Sequence, residues 1–265
     1  MIIAALILTG LAFGSFVNAL VWRLHKNCSV SSKKRPDPAL SIWRGRSMCV
    51  ECKHTLATKD LIPVLSWLTL RGKCQYCRKA ISWQYPAVEL LAAGLFVLSY
   101  IFWPYPLTTN VAEIALFILW LPLVTLGVAL SVYDFKWMEL PNGLVYSFGA
   151  LVIIWCALLT LVTGGLQILT TSIIGSLCFG GFFYIIYQVS SGKWIGGGDV
   201  RLCFMLGLLL GWQKTIIGLT LAAYLATAVI IVLAIMGKYH KRMRLPFGPF
   251  LLTASFVAVL WGQRT

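Results

Sequence analysis

The sequence predicts an all-α polytopic membrane protein of about eight transmembrane helices, with one small polar insert on the cytoplasmic side. Three observations carry this. The 265 residues are 59% hydrophobic and only 11% charged, with a mean hydropathy of +0.84, whereas roughly a quarter of a soluble domain is charged. Apolar runs recur at the length that crosses a bilayer, about 20 residues. The basic residues gather in alternate connections between those runs.

Taken in order, the apolar runs and their breaks put spans near 1–22, 87–104, 111–133, 143–164, 168–190, 200–211, 214–236 and 246–262. The sixth is short and is divided from the seventh only by Gly211-Trp212. The first has no basic residue ahead of it and no small-residue cleavage pattern behind it, so it is expected to remain as a helix rather than be removed as a signal peptide. The chain then divides by character into the first helix (1–24), the polar insert (25–86) and a membrane core (87–265).

A net charge of +14 raises the question of nucleic acid, and its distribution answers it. Of the 22 Lys and Arg, 13 lie in 23–86, one in 134–142, two in 191–201 and four in 237–245, while the connections 105–110 and 165–167 hold none. Positive charge collects on the cytoplasmic side of membrane proteins. Eight spans with these connections inside place both termini outside. The charge therefore reports topology and contact with anionic lipid, and a nucleic-acid partner is not expected.

The insert carries "CVEC" at Cys49–Cys52 and "CQYC" at Cys74–Cys77. A two-residue gap lets both sulfurs of a pair face one ion, and two such pairs make a tetrahedral Zn²⁺ site. Two disulfides are the alternative, but thiols stay reduced on the cytoplasmic side. A metal also supplies folding energy that a short insert with little apolar core lacks. Ile62, Leu65 and Trp67, between the pairs, are expected to pack on the metal site or on the bilayer surface. Cys156, Cys178 and Cys203 lie in apolar spans as small hydrophobes, and Cys28 has no partner at ligand spacing.

Only eight acidic residues exist: Asp37, Glu51, Asp60, Glu89, Glu113, Asp134, Glu139 and Asp199. A charge at bilayer-centre depth costs about 2.5–3.5 kcal/mol on insertion scales, so acids in or near spans are functional candidates, less strongly so near an interface. Asp134 ends the third span in "LSVYDFKWMELPNG", and Asp199 opens the sixth in "GGGDVRL". Both fall at inner helix ends. Two carboxylates that meet there share a proton, the ionised one activating water and the protonated one polarising a scissile carbonyl, as in an aspartic protease. The glycines at 196–198 permit unusual backbone angles and the close approach of an extended peptide. The bland alternatives are that Asp199 caps the helix after it and that Asp134 pairs with Lys136 or Arg201. Glu139 reads as a solvated loop acid. There is no H-E-x-x-H and no G-x-x-x-x-G-K-[ST], which argues against a zinc protease and against an ATP site.

Several stretches resemble one family in order along the chain. They are "GSFVNALVWRL" at Gly14–Leu24, the two cysteine pairs with "DLIPVLSWLTLRGKC" at Asp60–Cys74, "ISWQYPAVELL" at Ile81–Leu91, "YDFKWMELPN", "GGGDVRL", and "LPFGPFL" at Leu245–Leu251. The chain is similar to bacterial type IV prepilin peptidases, membrane aspartic proteases of the GxGD type. That resemblance implies cleavage of the basic leader of type IV prepilins or type II secretion pseudopilins at the cytoplasmic face of the inner membrane. It implies methylation of the new N-terminus from S-adenosylmethionine. Asp134 and Asp199 become the catalytic pair, Gly196 and Gly198 the motif glycines, and Cys49, Cys52, Cys74 and Cys77 the ligands of a structural Zn²⁺. Glu89 is then a candidate to meet the ammonium of the cofactor or of the new pilin N-terminus, against the alternative of a structural pair with a loop Lys or Arg.

The sequence departs from the family at Arg201, where Lys is typical, at His25, where Pro is usual, and at Asn142, where Asp is frequent. The competing readings are a peptidase without methylation, an ion-coupled transporter, and a non-catalytic zinc-stabilised membrane adaptor. A transporter would favour charges deeper in the spans and internal repeats, and neither is seen.

Overall fold

A computed structural model describes residues 1–29, 41, 45–105, 107, 111–238 and 245–261. Asp37, His240, Arg264 and most of the basic stretch 237–245 lie outside the described residues, as does the side chain of Cys28. Among the described residues the α-helices run in the order α1 (Ile2–Ser29), α2 (Leu65–Thr69), α3 (Gln84–Ile101), α4 (Val111–Trp137), α5 (Asn142–Thr163), α6 (Leu166–Val189), α7 (Gly197–Ile235) and α8 (Gly248–Trp261), with a 3-10 turn at Thr58–Leu61 ahead of α2. Six of them are long and apolar enough to cross a membrane, and α8 is apolar but shorter. The difference from eight spans lies in α8 and at Gly211. There φ 70° and ψ 168° interrupt the helical backbone within α7, at the break the sequence marks between its sixth and seventh runs. A left-handed φ of this kind suits glycine alone among common residues.

The chain forms two compact units, Met1–Ile101 and Phe102–Thr265. In the first, α1 packs along α3. The contact is set by Gly10 and Gly14, one turn apart. A Cβ on Gly10 would lie 2.5 Å from the Ala93 Cα, and one on Gly14 would lie 2.5 Å from the Glu89 Cα. Membrane helices gain little by burying apolar surface from lipid, so close backbone approach over small residues is what joins them. Toward the C-terminal end of α1, the buried Asn18 donates through Nδ2 to the Tyr85 carbonyl at 3.1 Å. Arg23 donates to the carbonyls of Ser41 and Gly45 at 3.0 and 2.9 Å. α1 thus continues past its apolar run to hold the first part of the insert.

In the second unit, α6 lies against α7, and α8 packs on α7 and α4. Gly175 of α6 and Gly207 of α7 meet backbone to backbone: a Cβ on Gly207 would lie 2.4 Å from the Gly175 carbonyl oxygen. A cluster of Trp120 with Trp103, Trp155 and Phe256, at centroid distances of 6.0, 6.1 and 6.0 Å, fastens α4 to α5 and α8. It sits about 20 Å along α4 from Asp134, at 1.5 Å per residue.

Candidate functional sites

The four expected metal ligands come together. The Sγ atoms of Cys49, Cys52, Cys74 and Cys77 all lie within 4.8 Å of one another, and the gap between Cys49 and Cys77 is 3.9 Å. Tetrahedral zinc with bonds of about 2.3 Å sets sulfurs about 3.8 Å apart, so the cluster fits such an ion. All four cysteines are free thiols, gathered as one four-sulfur group rather than as two separate pairs. Each pair sits in a tight turn closed by a bridge, Met48 with Thr55 and Lys73 with Ala80. In the first turn Cys49 accepts the Lys53 N–H and donates to the His54 carbonyl; in the second, Cys74 does the same with Arg78 and Lys79. Burial pushes the Cys49 thiol up, but hydrogen bonds from the backbone of Cys52 and Glu51 and from the Cys52 and Cys74 side chains bring it down to about 7. At Cys77 a backbone hydrogen bond from Lys79 favours the thiolate. Burial and the three neighbouring thiols outweigh it and raise the group to about 11. Four thiols this close resist ionising together, which is the repulsion a divalent cation relieves.

Glu89 is buried, and its Oε2 accepts the Val64 N–H at 2.7 Å. Ser15 of α1 also hydrogen-bonds its carboxylate. Among the described residues no ion pair joins it to a Lys or Arg; the one ion pair there is Lys79 with Glu51. Val64 is held at φ 59°, ψ −49°, a strained conformation for a β-branched residue. Val64 and Ser15 are partners the sequence did not flag, because neither residue type signals a carboxylate partner.

In the second unit, Asp134 lies in the last turn of α4 and is 5% exposed. Its Oδ2 accepts the Gly248 N–H at 2.9 Å. Gly248 begins α8, so the carboxylate faces a helix N-terminus, where free N–H groups and the helix dipole receive an anion. A Cβ on Gly248 would stand 2.7 Å from that oxygen. Asp199 is the third residue of α7, whose N-cap is Gly196 with no side-chain cap hydrogen bond, so it does not cap the helix from ahead of it but sits in the first turn, where the helix dipole favours an acid. It also lies within electrostatic reach of Asp134. No ion pair joins Asp134 to Lys136 or Arg201 among the described residues: Lys136 lies 5.1 Å from the Trp137 ring centroid, and Arg201 faces elsewhere. Its Nε donates to the Gly197 carbonyl at 3.0 Å and its Nη1 to the Asn142 side chain. Arg201 thereby ties the start of α7 to the start of α5. Glu139 is exposed, in keeping with a solvated loop acid.

The motif glycines act through space rather than through unusual angles. Gly196 is extended at φ −73°, ψ 146°, and neither it nor Gly198 has a positive φ. A Cβ on Gly198 would lie 2.9 Å from the Leu140 Cβ. Its absence lets the start of α7 close on the α4–α5 connection, which brings the two aspartate-bearing segments together. The residue that sequence reasoning left without a role is Gly248, although its motif was recognised. A glycine set between Phe247 and Pro249 at the start of an apolar run was the available signal.

Comparisons with known proteins agree along the chain. The family model described as the bacterial peptidase A24 N-terminal domain matches residues 8–103, and that of the type IV leader peptidase family matches residues 121–232. The chain is 33% identical over 275 residues to the prepilin leader peptidase/N-methyltransferase of Aeromonas salmonicida (strain A449), covering 97% of this chain and 89% of that protein. It is 30% identical over 279 residues to the protein of the same name from Stutzerimonas stutzeri, covering 99% and 91%. For that of Burkholderia pseudomallei (strain K96243) the identity is 31% over 283 residues, covering 98% and 85%. No solved structure matches the chain.

Proposed function

The chain belongs to the type IV leader peptidase family, and from that premise we propose that it is a bifunctional prepilin-processing enzyme of the bacterial inner membrane. It cuts the basic leader from type IV prepilins or type II secretion pseudopilins. It then methylates the exposed amino group, with S-adenosylmethionine as donor. The single observation that best supports the proteolytic half is the buried Asp134, anchored by the Gly248 N–H and within electrostatic reach of Asp199.

In this reading the two carboxylates share one proton. The ionised member takes a proton from water as the water oxygen bonds to the scissile carbonyl carbon. The other gives its proton to the carbonyl oxygen. Collapse of the tetrahedral intermediate breaks the C–N bond, and the leaving amine takes up a proton. Gly196, extended just ahead of Asp199, offers its backbone to an extended leader junction, Gly198 lets the start of α7 close on Leu140, and Arg201 holds the α5 and α7 starts in register. Cys49, Cys52, Cys74 and Cys77 hold Zn²⁺, whose contribution is to fold the insert. Glu89 offers its carboxylate to the ammonium of the methyl donor or of the new pilin N-terminus. Both chain termini are periplasmic and both chemistries face the cytoplasm.

The test is intact mass of a purified prepilin after incubation with the protein, with and without S-adenosylmethionine. Leader loss is expected, with one methyl increment only when the donor is present. Asp134→Asn and Asp199→Asn should each lower cleavage by about 10⁴-fold or more, as for groups acting as one unit. Cleavage that survives both substitutions would sink the aspartic mechanism. Cleavage without the methyl increment would leave a peptidase alone, and no turnover by the wild type on several prepilins would leave a zinc-stabilised adaptor.

A further inference from the structure

The insert carries an apolar face that the cysteine site does not use. Leu61, Ile62, Leu65 and Leu68 are 37%, 47%, 59% and 55% exposed. Trp83, the residue before α3, is 72% exposed and lies 4.3 Å, ring to ring, from Trp67. Trp67 also donates to the Ile81 carbonyl at 3.2 Å. α2 is therefore tied to the start of α3 rather than free in solution.

The depth of this face follows from α3. The helix has 18 residues, about 27 Å at 1.5 Å per residue, against a hydrocarbon core of about 30 Å. A helix this short has no turn to spare outside the membrane, so Gln84 lies at the interface. Glu89, five residues on, is about 7.5 Å deeper. The Val64 N–H is bonded to that carboxylate. The segment of the insert ahead of α2 is therefore held against the first turns of α3, and the exposed leucines stand beside a membrane-crossing helix. Lys59, Arg71 and Lys73, exposed on either side of α2, complete an interfacial pattern: apolar residues inward, Trp at the boundary and cations toward anionic headgroups.

We propose that Leu61–Leu68 is a re-entrant interfacial segment, seated in the cytoplasmic leaflet and latched there by the Val64–Glu89 hydrogen bond. Its partner is the bilayer itself. This anchors the cysteine site at the membrane surface, independently of how Asp134 and Asp199 function.

The experiment places p-benzoylphenylalanine at Leu65 or Leu68 of the full chain, in nanodiscs of phosphatidylethanolamine and phosphatidylglycerol. The reference probe replaces Val50, which is 44% exposed in the first cysteine turn. After irradiation, mass spectrometry should find lipid adducts at 65 and 68 several-fold above those at 50. Zinc content and thermal melting identify the folded variants. Should either leucine position fail to fold, the probe moves to Leu61 or Ile62. Lipid adducts no more frequent than at 50 would overturn the proposal. So would adducts formed instead with a second copy of the chain, or with added prepilin.

Discussion

Gly248 illustrates how a residue without a side chain sets the position of a buried carboxylate. Its N–H holds the Asp134 Oδ2 at 2.9 Å, and an added Cβ would intrude to 2.7 Å from the same atom. The atom that must yield is the tip of a side chain, so Gly248→Ala is inexpensive in stability. It displaces the carboxylate instead, and a misplacement of about 1 Å costs on the order of 10²-fold in rate. Single-turnover cleavage should fall by about that factor while the melting temperature stays within a few degrees. Gly181→Ala, whose Cβ meets nothing within 4 Å, should change neither. A large loss of thermal stability in Gly248→Ala, in step with the loss of rate, would show the glycine to be structural only. Asp134 and Asp199 were legible as candidates because acids are so scarce in this chain. The Gly248 contact was not. It joins residues 114 apart through a backbone group, and no side-chain pattern announces such a donor. Arg201 was singled out as a departure from the Lys typical of the family, and its planar fork spans Gly197 and Asn142, which a lysine ammonium does not reproduce.

Between elements, the decisive contacts are glycine contacts. Gly10-Leu-Ala-Phe-Gly14 on α1 presents two small residues to Ala93 and Glu89 of α3, the small-xxx-small pattern of membrane helix pairs. Here the clashing atoms are backbone, which cannot swing aside. Gly14→Leu should therefore destabilise the first unit by about 1–3 kcal/mol or more, seen as lower thermal stability of the detergent-solubilised protein. It should also displace Glu89, whose Cα is the nearest contact. An unchanged melting temperature would mean that α1 and α3 do not approach this closely. The pattern was present in the sequence but overshadowed by the motif that starts at Gly14. Helix existence was readable from hydropathy nearly everywhere, because lipid demands long apolar runs whose backbone is satisfied internally. Helix ends were less so. α4 runs on through Asp134 to Trp137, since helical hydrogen bonding continues past the apolar run. α7 shows why the counts differ, with one positive-φ glycine inside a 39-residue element.

At the scale of the molecule, composition and packing divide the chain differently. Composition groups 87–104 with the later spans, because all are apolar. Packing groups α3 with α1 and the insert, and the first unit ends at Ile101, close to residue 103 where the N-terminal family match ends. Hydropathy cannot say which helix pairs with which; the glycine contacts do. The cysteine site then lies wholly in the first unit, and Asp134, Asp199 and Gly248 wholly in the second. Structural zinc contributes about 10–16 kcal/mol to the fold of small zinc modules, far more than a short insert with little core supplies itself. Its removal should therefore unfold the insert and spare the helices that carry the aspartates. Treatment with a strong zinc chelator, or Cys49→Ser, should abolish methyl transfer and keep cleavage within about tenfold of wild type, the scale of an indirect effect of about 1.4 kcal/mol. The product would be a leaderless, unmethylated pilin, separated from the normal product by one methyl mass. Parallel loss of both activities in intact, folded protein would mean that the insert takes part in cleavage as well as in methyl transfer.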